Sequence, residues 1–255
     1  MKQINWHYSN MKLLVILLTN DDSSKMKSYV NKCPSYMFKI FDEPLISYTK
    51  DIYKDIATKI LVINENEVSL IKNDIKEYDN VLISYANMPL LLKESVNKML
   101  SIHIKNNNDV THSDNLFIIN SITFLTFLSK NCIINISKIL KECEHQEFIK
   151  LNSRETKIID TRFKLQEATK IIQKRINKKH LDNGVSIVDI ATTYIGKDVL
   201  IGNDTTIYPN TYILGKSIIG VDCEIGPNAY IYNGFIDNKE KLINVSYNQK
   251  NSKNK

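Results

Sequence analysis

The sequence predicts an α/β chain in two parts: a parallel sheet covered by helices, then a connecting helix and a short parallel β-helix of six-residue repeats. Three observations predict it. Apolar runs of strand length alternate with helix-length segments over the first half of the chain. One amphipathic helix covers about Thr161–Lys179. From Ile195 an Ile recurs at every sixth position: Ile201, Ile207, Ile213, Ile219, Ile225 and Ile231.

In order, Leu13–Leu18 reads as a strand, Pro44–Tyr53 as a helix and Thr58–Ile63 as a second strand. Val68–Tyr78 reads as a helix, Asn80–Tyr85 as a third strand, Pro89–Lys105 as a longer helix and Leu116–Ile119 as another strand. Strands that are apolar without interruption belong to a parallel sheet buried on both faces. Such sheets bind ligands outside the carboxyl ends of their strands. In the helix near 161–179, Leu165, Ala168, Ile172 and Ile176 form one stripe; Asp160 or Thr161 supplies the N-cap and Asn183-Gly184 the stop.

The hexads follow neither the strand period of two nor the helix period of 3.6. They fit a triangular prism in which the Ile points inward. The residues four positions on, Val199, Thr205, Thr211, Ser217, Cys223 and Ala229, are small enough for a corner; Phe235 breaks that pattern. Position 237, where the next Ile would fall, is Asp237, and a polar stretch follows. The predicted boundaries are therefore 11–150 for the sheet domain, 151–182 for the linker helix, 183–236 for the prism and 237–255 for a polar tail, of which Val245–Lys255 is expected to be mobile. A prism of about two coils needs cover from the helix, from other copies, or from both.

Composition narrows the functional classes. At 43% hydrophobic and 24% charged, the chain of 255 residues is not a disordered one. No apolar run approaches the roughly 18 residues of a membrane span. Met11–Leu18 runs into Asn20-Asp21-Asp22 and not into a small-residue cleavage site, so it reads as a buried strand. Cys33, Cys132, Cys143 and Cys223 lack metal or disulfide spacing, which points to a cytoplasmic protein. The net charge of +6 sits largely on a helix face at Lys174, Arg175, Lys178 and Lys179 and in the tail. That distribution predicts no nucleic-acid partner, and no membrane partner is expected either. The histidines lie outside the hexads and read as surface or partly buried polar residues.

The segment DTRFKLQEATKIIQKRINKKHLDNGVSIVDIATTYI, followed by VLIGNDTTIYPNT and IIGVDCEIGP, resembles the bifunctional bacterial UDP-N-acetylglucosamine pyrophosphorylase/glucosamine-1-phosphate acetyltransferase family. Collinear, weaker matches are KLLVILLTNDDSSKMKS, FDEPLISY and NVLISYANMPLL. The resemblance implies a truncated, Rossmann-like nucleotidyltransferase-type sheet, a linker helix and a short left-handed parallel β-helix of hexapeptide repeats. It also implies two activities, uridylyl transfer and acetyl transfer, and a trimeric prism.

For uridylyl transfer the resemblance implies a glycine-rich phosphate loop ending in arginine. Asp21 and Ser23 stand at its two glycine positions, Lys25 at the arginine and Ser35 at a following lysine. An acid in that loop repels a triphosphate, and side chains obstruct the close backbone approach that glycine permits. The implied magnesium pair corresponds to Asn87 and Asp160, amide and carboxylate exchanged relative to the family. Either magnesium persists there, its octahedron completed by phosphates and waters, or Asn87 is a drifted loop residue and Asp160 a helix cap. The implied acetyl-CoA site lies in later coils, so none is expected here.

These readings lead to a divergent, non-catalytic relative with a binding or assembly role in sugar-nucleotide metabolism. Its expected partners are copies of itself in a homotrimer or a full-length paralogue, with UTP or a sugar phosphate as ligand. The alternative is an active nucleotidyltransferase making UDP-N-acetylglucosamine or a related sugar nucleotide.

Overall fold

The computed structural model describes residues 11–19, 24–28, 30, 32–131, 134 and 136–248. The regular elements begin with β1 (Leu13–Thr19), β2 (Lys39–Ile40), β3 (Glu43–Pro44) and α1 (Leu45–Tyr53). They continue with β4 (Lys59–Asn64), α2 (Lys72–Ile75), β5 (Asn80–Tyr85) and α3 (Lys93–Lys105). Then come β6 (Val110–His112), β7 (Phe117–Asn120), α4 (Ser121–Lys130), α5 (Ile136–Glu142), β8 (Gln146–Phe148) and α6 (Arg162–Asp182). The described chain divides into two compact units: residues up to Phe38 with Pro44–Lys164, and Lys39–Glu43 with the chain from Leu165 onward.

The first unit is built on a six-stranded sheet of order β4-β1-β5-β7-β6-β8. Its centre is parallel, with β1 between β4 and β5. β7 runs antiparallel to both β5 and β6, and β8 is parallel to β6. The uninterrupted apolar sequence of β1 has a plain cause, since alternate side chains feed two cores. Leu14, Ile16 and Leu18 pack with Phe124, Phe127 and Leu128, whereas Leu13, Val15 and Leu17 pack with Val96, Met99 and Leu100.

Two expectations for this unit change. The helix expected over Val68–Tyr78 is a 3-10 segment, Glu65–Ile71, followed by the single turn of α2. Asn64 and Glu67 form a capping box that starts the segment earlier. His103, expected on the surface or partly buried, is 2% exposed on α3; its Nδ1 lies 3.0 Å from Thr111 Oγ1 and its Nε2 3.0 Å from Asn80 Oδ1. Since Asn80 Oδ1 can only accept, Nε2 carries the proton.

The second unit is a parallel β-helix. Its strands are β9 (Ser186–Ile187), β10 (Thr193–Ile195), β11 (Leu200–Ile201), β12 (Thr206–Ile207), β13 (Thr211–Leu214) and β14 (Ile218–Ile219). The remainder are β15 (Glu224–Ile225), β16 (Tyr230–Tyr232), β17 (Phe235–Ile236), β18 (Lys241–Leu242) and β19 (Ser246–Asn248). They make three sheets, β9-β12-β15-β18, β10-β13-β16-β19 and β11-β14-β17. Ile195, Ile207, Ile213, Ile219, Ile225 and Ile231 are buried in one core, and so are Val199, Cys223 and Ala229 at small positions. Thr205, Thr211 and Ser217 are equally buried.

Close packing at the corners sets the smallest residues. A Cβ on Gly202 would stand 2.7 Å from the Gly220 carbonyl carbon and oxygen. Asp204, Asn210, Asp222 and Asn228, each three residues after an inward Ile, adopt positive φ, which Asn and Asp tolerate better than most residues.

The prism does not stop at 236. Ile219 pairs with Ile236, and Ile225 with Leu242, one residue short of the spacing used before. Gly234 takes the small position beside Ser217, its N–H donating to Ser217 Oγ at 3.0 Å. A residue has been lost at that turn, so the strict six-residue count misses Ile236 and turns Phe235 outward. The ladder then runs on to Asn248, through the larger part of the expected polar tail and into the stretch expected to be mobile.

Candidate functional site

The site is assembled where β1 and β5 end. The Leu18 carbonyl accepts from Ala86 N–H at 2.9 Å, which sets Asn87 beside the end of β1. Asn87 is 7% exposed, and its Nδ2 donates to Ser35 Oγ at 2.9 Å and to the Ile159 carbonyl at 3.0 Å. The Ile159 N–H returns a bond to the Asn87 carbonyl at 3.0 Å. Ser35 is also buried, in the 3-10 turn Ser35–Met37 that follows Pro34. The segment before α6 is therefore stitched to the turn after β5.

Asp160 follows Ile159 directly. Its Oδ1 accepts from Lys164 Nζ at 2.6 Å and its Oδ2 from Lys25 Nζ at 3.4 Å. Partial burial pushes this carboxyl up, but the two ammoniums outweigh it and hold the group below the ordinary carboxylate range. The N-cap is Thr161, whose Oγ1 accepts from Lys164 N–H at 3.2 Å. Arg162 ties the same corner to the turn carrying Lys25: its Nε donates to the Met26 carbonyl at 3.0 Å, and its guanidinium lies 5.0 Å from the Phe38 ring centre.

Lys25, Ser35, Asn87 and Asp160 are thus gathered at one place, whereas Asp21 and Ser23 lie outside the described residues. Two participants escaped sequence reasoning, Lys164 and Arg162. The spacing of Asp160 and Lys164, one helical turn, was the available signal for the first. Nothing in the sequence pointed to Arg162.

A divalent cation would have to displace two ammoniums at Asp160. Magnesium takes oxygen ligands in an octahedron at roughly 2.0–2.1 Å, and both oxygens of Asp160 are engaged by ammoniums. Among the described residues no group of three or more His, Cys, Asp or Glu side chains could hold a metal. Nor is any described helix long and apolar enough to cross a membrane.

The sheet and the hexad prism together define the class: a nucleotidyltransferase-like α/β sheet joined to a transferase-type β-helix. The family of bacterial transferase hexapeptides (six repeats) matches residues 192–233. The chain is similar in fold to molybdopterin-guanine dinucleotide biosynthesis protein A from Archaeoglobus fulgidus, with a TM-score of 0.50 and 12% identity over 64% of this chain and all of that one.

Relatives in sequence narrow the class further. The bifunctional protein GlmU of Caldanaerobacter subterraneus subsp. tengcongensis is 31% identical over 78% of this chain and 39% of its own length. That of Thermoanaerobacter pseudethanolicus is 28% identical over 80% of this chain and 61% of its own length. The GlmU of Bacillus subtilis is 45% identical over 25% of this chain and 14% of its own. The chain is a divergent member of the GlmU-like family, and it spans less than two thirds of the length of these curated relatives.

Proposed function

We propose that the chain is a non-catalytic GlmU relative with a binding or assembly role in sugar-nucleotide metabolism. The observation that carries this reading is the bond between Asn87 and Ser35. The resemblance implies a metal-ligating residue at the first position and a phosphate-binding lysine at the second. Here both are neutral and buried, and the Asn87 amide nitrogen is spent on Ser35 and Ile159, so the pair lacks the charges that the resemblance implies for holding a metal and a nucleotide. Asp21 and Ser23 in place of loop glycines argue in the same direction.

Assembly is supported by one face of the prism. Leu200, Ile218 and Phe235 lie in register on adjacent strands and are 61%, 43% and 57% exposed. A ladder of large apolar side chains calls for cover, and a homotrimer, or pairing with a full-length paralogue, would supply it. Cys33, Cys143 and Cys223 are free thiols, which supports a cytoplasmic setting.

A second reading, an active nucleotidyltransferase using UTP, a sugar 1-phosphate and Mg²⁺, is favoured by the gathering of Lys25, Ser35, Asn87 and Asp160 at the ends of parallel strands. Pyrophosphate release from UTP, N-acetylglucosamine-1-phosphate and Mg²⁺ separates the two. No turnover is expected from the pure protein. Turnover that Asp160→Ala abolishes would establish the enzyme.

A further inference from the structure

The carboxylate to which the resemblance assigns a magnesium ion is paired from within the chain. Lys164 reaches Asp160 Oδ1 from one helical turn away, and Lys25 reaches Oδ2 across 135 residues of sequence. Two ammoniums against one carboxylate leave the cluster positive, so a divalent cation would be repelled before it met a ligand. The pairing is not a loose surface one: the Asp160 side chain is 23% exposed and that of Lys164 33%. Lys25 is the more solvated partner at 65%, but the turn that carries it is held independently by Arg162 on Met26.

We propose that Lys25, Asp160 and Lys164 form a metal-independent clasp: the ammoniums take the place of a divalent cation and fasten the turn after β1 to the start of α6. This rests on the non-catalytic reading and extends it, because it gives the surviving carboxylate a structural task. Asp160 joins two segments; it does not wait for a metal. Arg162, Thr161 and the Asn87–Ile159 bonds complete the fastening on either side.

The test is Mn²⁺ binding to the full chain, read by the electron paramagnetic resonance signal of free Mn²⁺, with and without UTP. Wild type and Asp160→Asn are expected to leave that signal at the level of the matching protein-free control, with UTP and without it. The double variant Lys25→Met/Lys164→Met frees the carboxylate and should bind Mn²⁺ roughly tenfold more tightly than wild type, and adding Asp160→Asn should remove the gain. Mn²⁺ binding by wild type that Asp160→Asn abolishes would overturn the clasp. So would a folded double variant with no gain.

If the double variant does not fold, urea unfolding of Lys164→Met, Asp160→Asn and their combination decides. The clasp requires the combined loss to be smaller than the sum of the single losses, by roughly fivefold in the unfolding equilibrium constant. Additive losses would overturn it. The outcomes separate from those of the functional reading: Asp160-dependent Mn²⁺ binding without pyrophosphate release removes only the clasp. Turnover indifferent to Asp160 removes only the non-catalytic reading.

Discussion

Asn87 and Ser35, 52 residues apart in sequence, share a 2.9 Å hydrogen bond in the buried corner where the parallel strands end. Asn87 also holds the Ile159 carbonyl, so one amide group joins three segments of the first unit.

Truncating that amide should be costly. Asn87→Ala leaves Ser35 Oγ and one bond of the Ile159 carbonyl without their donor in a buried place, and we expect a loss of about 1–3 kcal/mol. Urea unfolding of Asn87→Ala, Ser35→Ala and the double variant checks this. The double variant should lose less than the sum of the singles.

In the prism, Gly202→Ala should be destabilising by about 1–3 kcal/mol. The added methyl meets backbone atoms of Gly220 at 2.7 Å, and backbone cannot swing aside as a side chain can. Thermal unfolding followed by circular dichroism provides the comparison, with Ser217→Ala as a control that keeps the corner open but removes the bond to Gly234 N–H.

His103 makes folding sensitive to acid. Burial pushes its pKa down from the ordinary 6.5 to about 4, with the charge of Asp109 opposing weakly. The folded form therefore stays neutral while the unfolded chain takes up a proton. The stabilisation is whole above pH 6.5 and is lost as pH falls towards 4. An NMR titration of the ring should show no protonation of the native protein until about pH 4, and the urea midpoint should fall over the same window.

If copies of the chain associate through the prism, Phe235→Glu and Ile218→Glu should shift light-scattering mass to that of a monomer. Both side chains point outward, so the fold itself should be kept. Variants that retain a trimer mass would place the interface elsewhere.

Legibility in the sequence followed the strength of each periodic signal. The hexads predicted nearly every inward residue, and Asn80–Tyr85 was legible from its apolar centre Val81-Leu82-Ile83, although Asn80 and Ser84 are polar and buried. The period failed at Gly234, where a shortened turn slipped the count by one. It failed also at β19, where the register shortens again: Tyr212 pairs with Tyr230 but Tyr230 with Ser246, and Tyr247 stands opposite Ile231. α4, Ser121–Lys130, went unread although Phe124, Phe127 and Leu128 stand at the helical spacing i, i+3, i+4 and are buried; exposed Ile122 and half-buried Leu125 blur that stripe in the sequence.

At the site, Lys25, Ser35, Asn87 and Asp160 lie together, with Asp21 and Ser23 outside the described residues, but the bonding among the four was not legible. That Asn87 holds Ser35 and Ile159 depends on strand ends meeting across long stretches of chain. The same holds for Lys25 on Asp160. Only the Asp160–Lys164 pair, being local, lay within reach of sequence reasoning.

The most direct measurement is a crystal of the full chain soaked with UTP and Mg²⁺. The predicted result is no ordered triphosphate between Thr19 and Lys25, with Lys164 still on Asp160. A triphosphate wrapped by that turn, with a metal ion on Asp160, would contradict it.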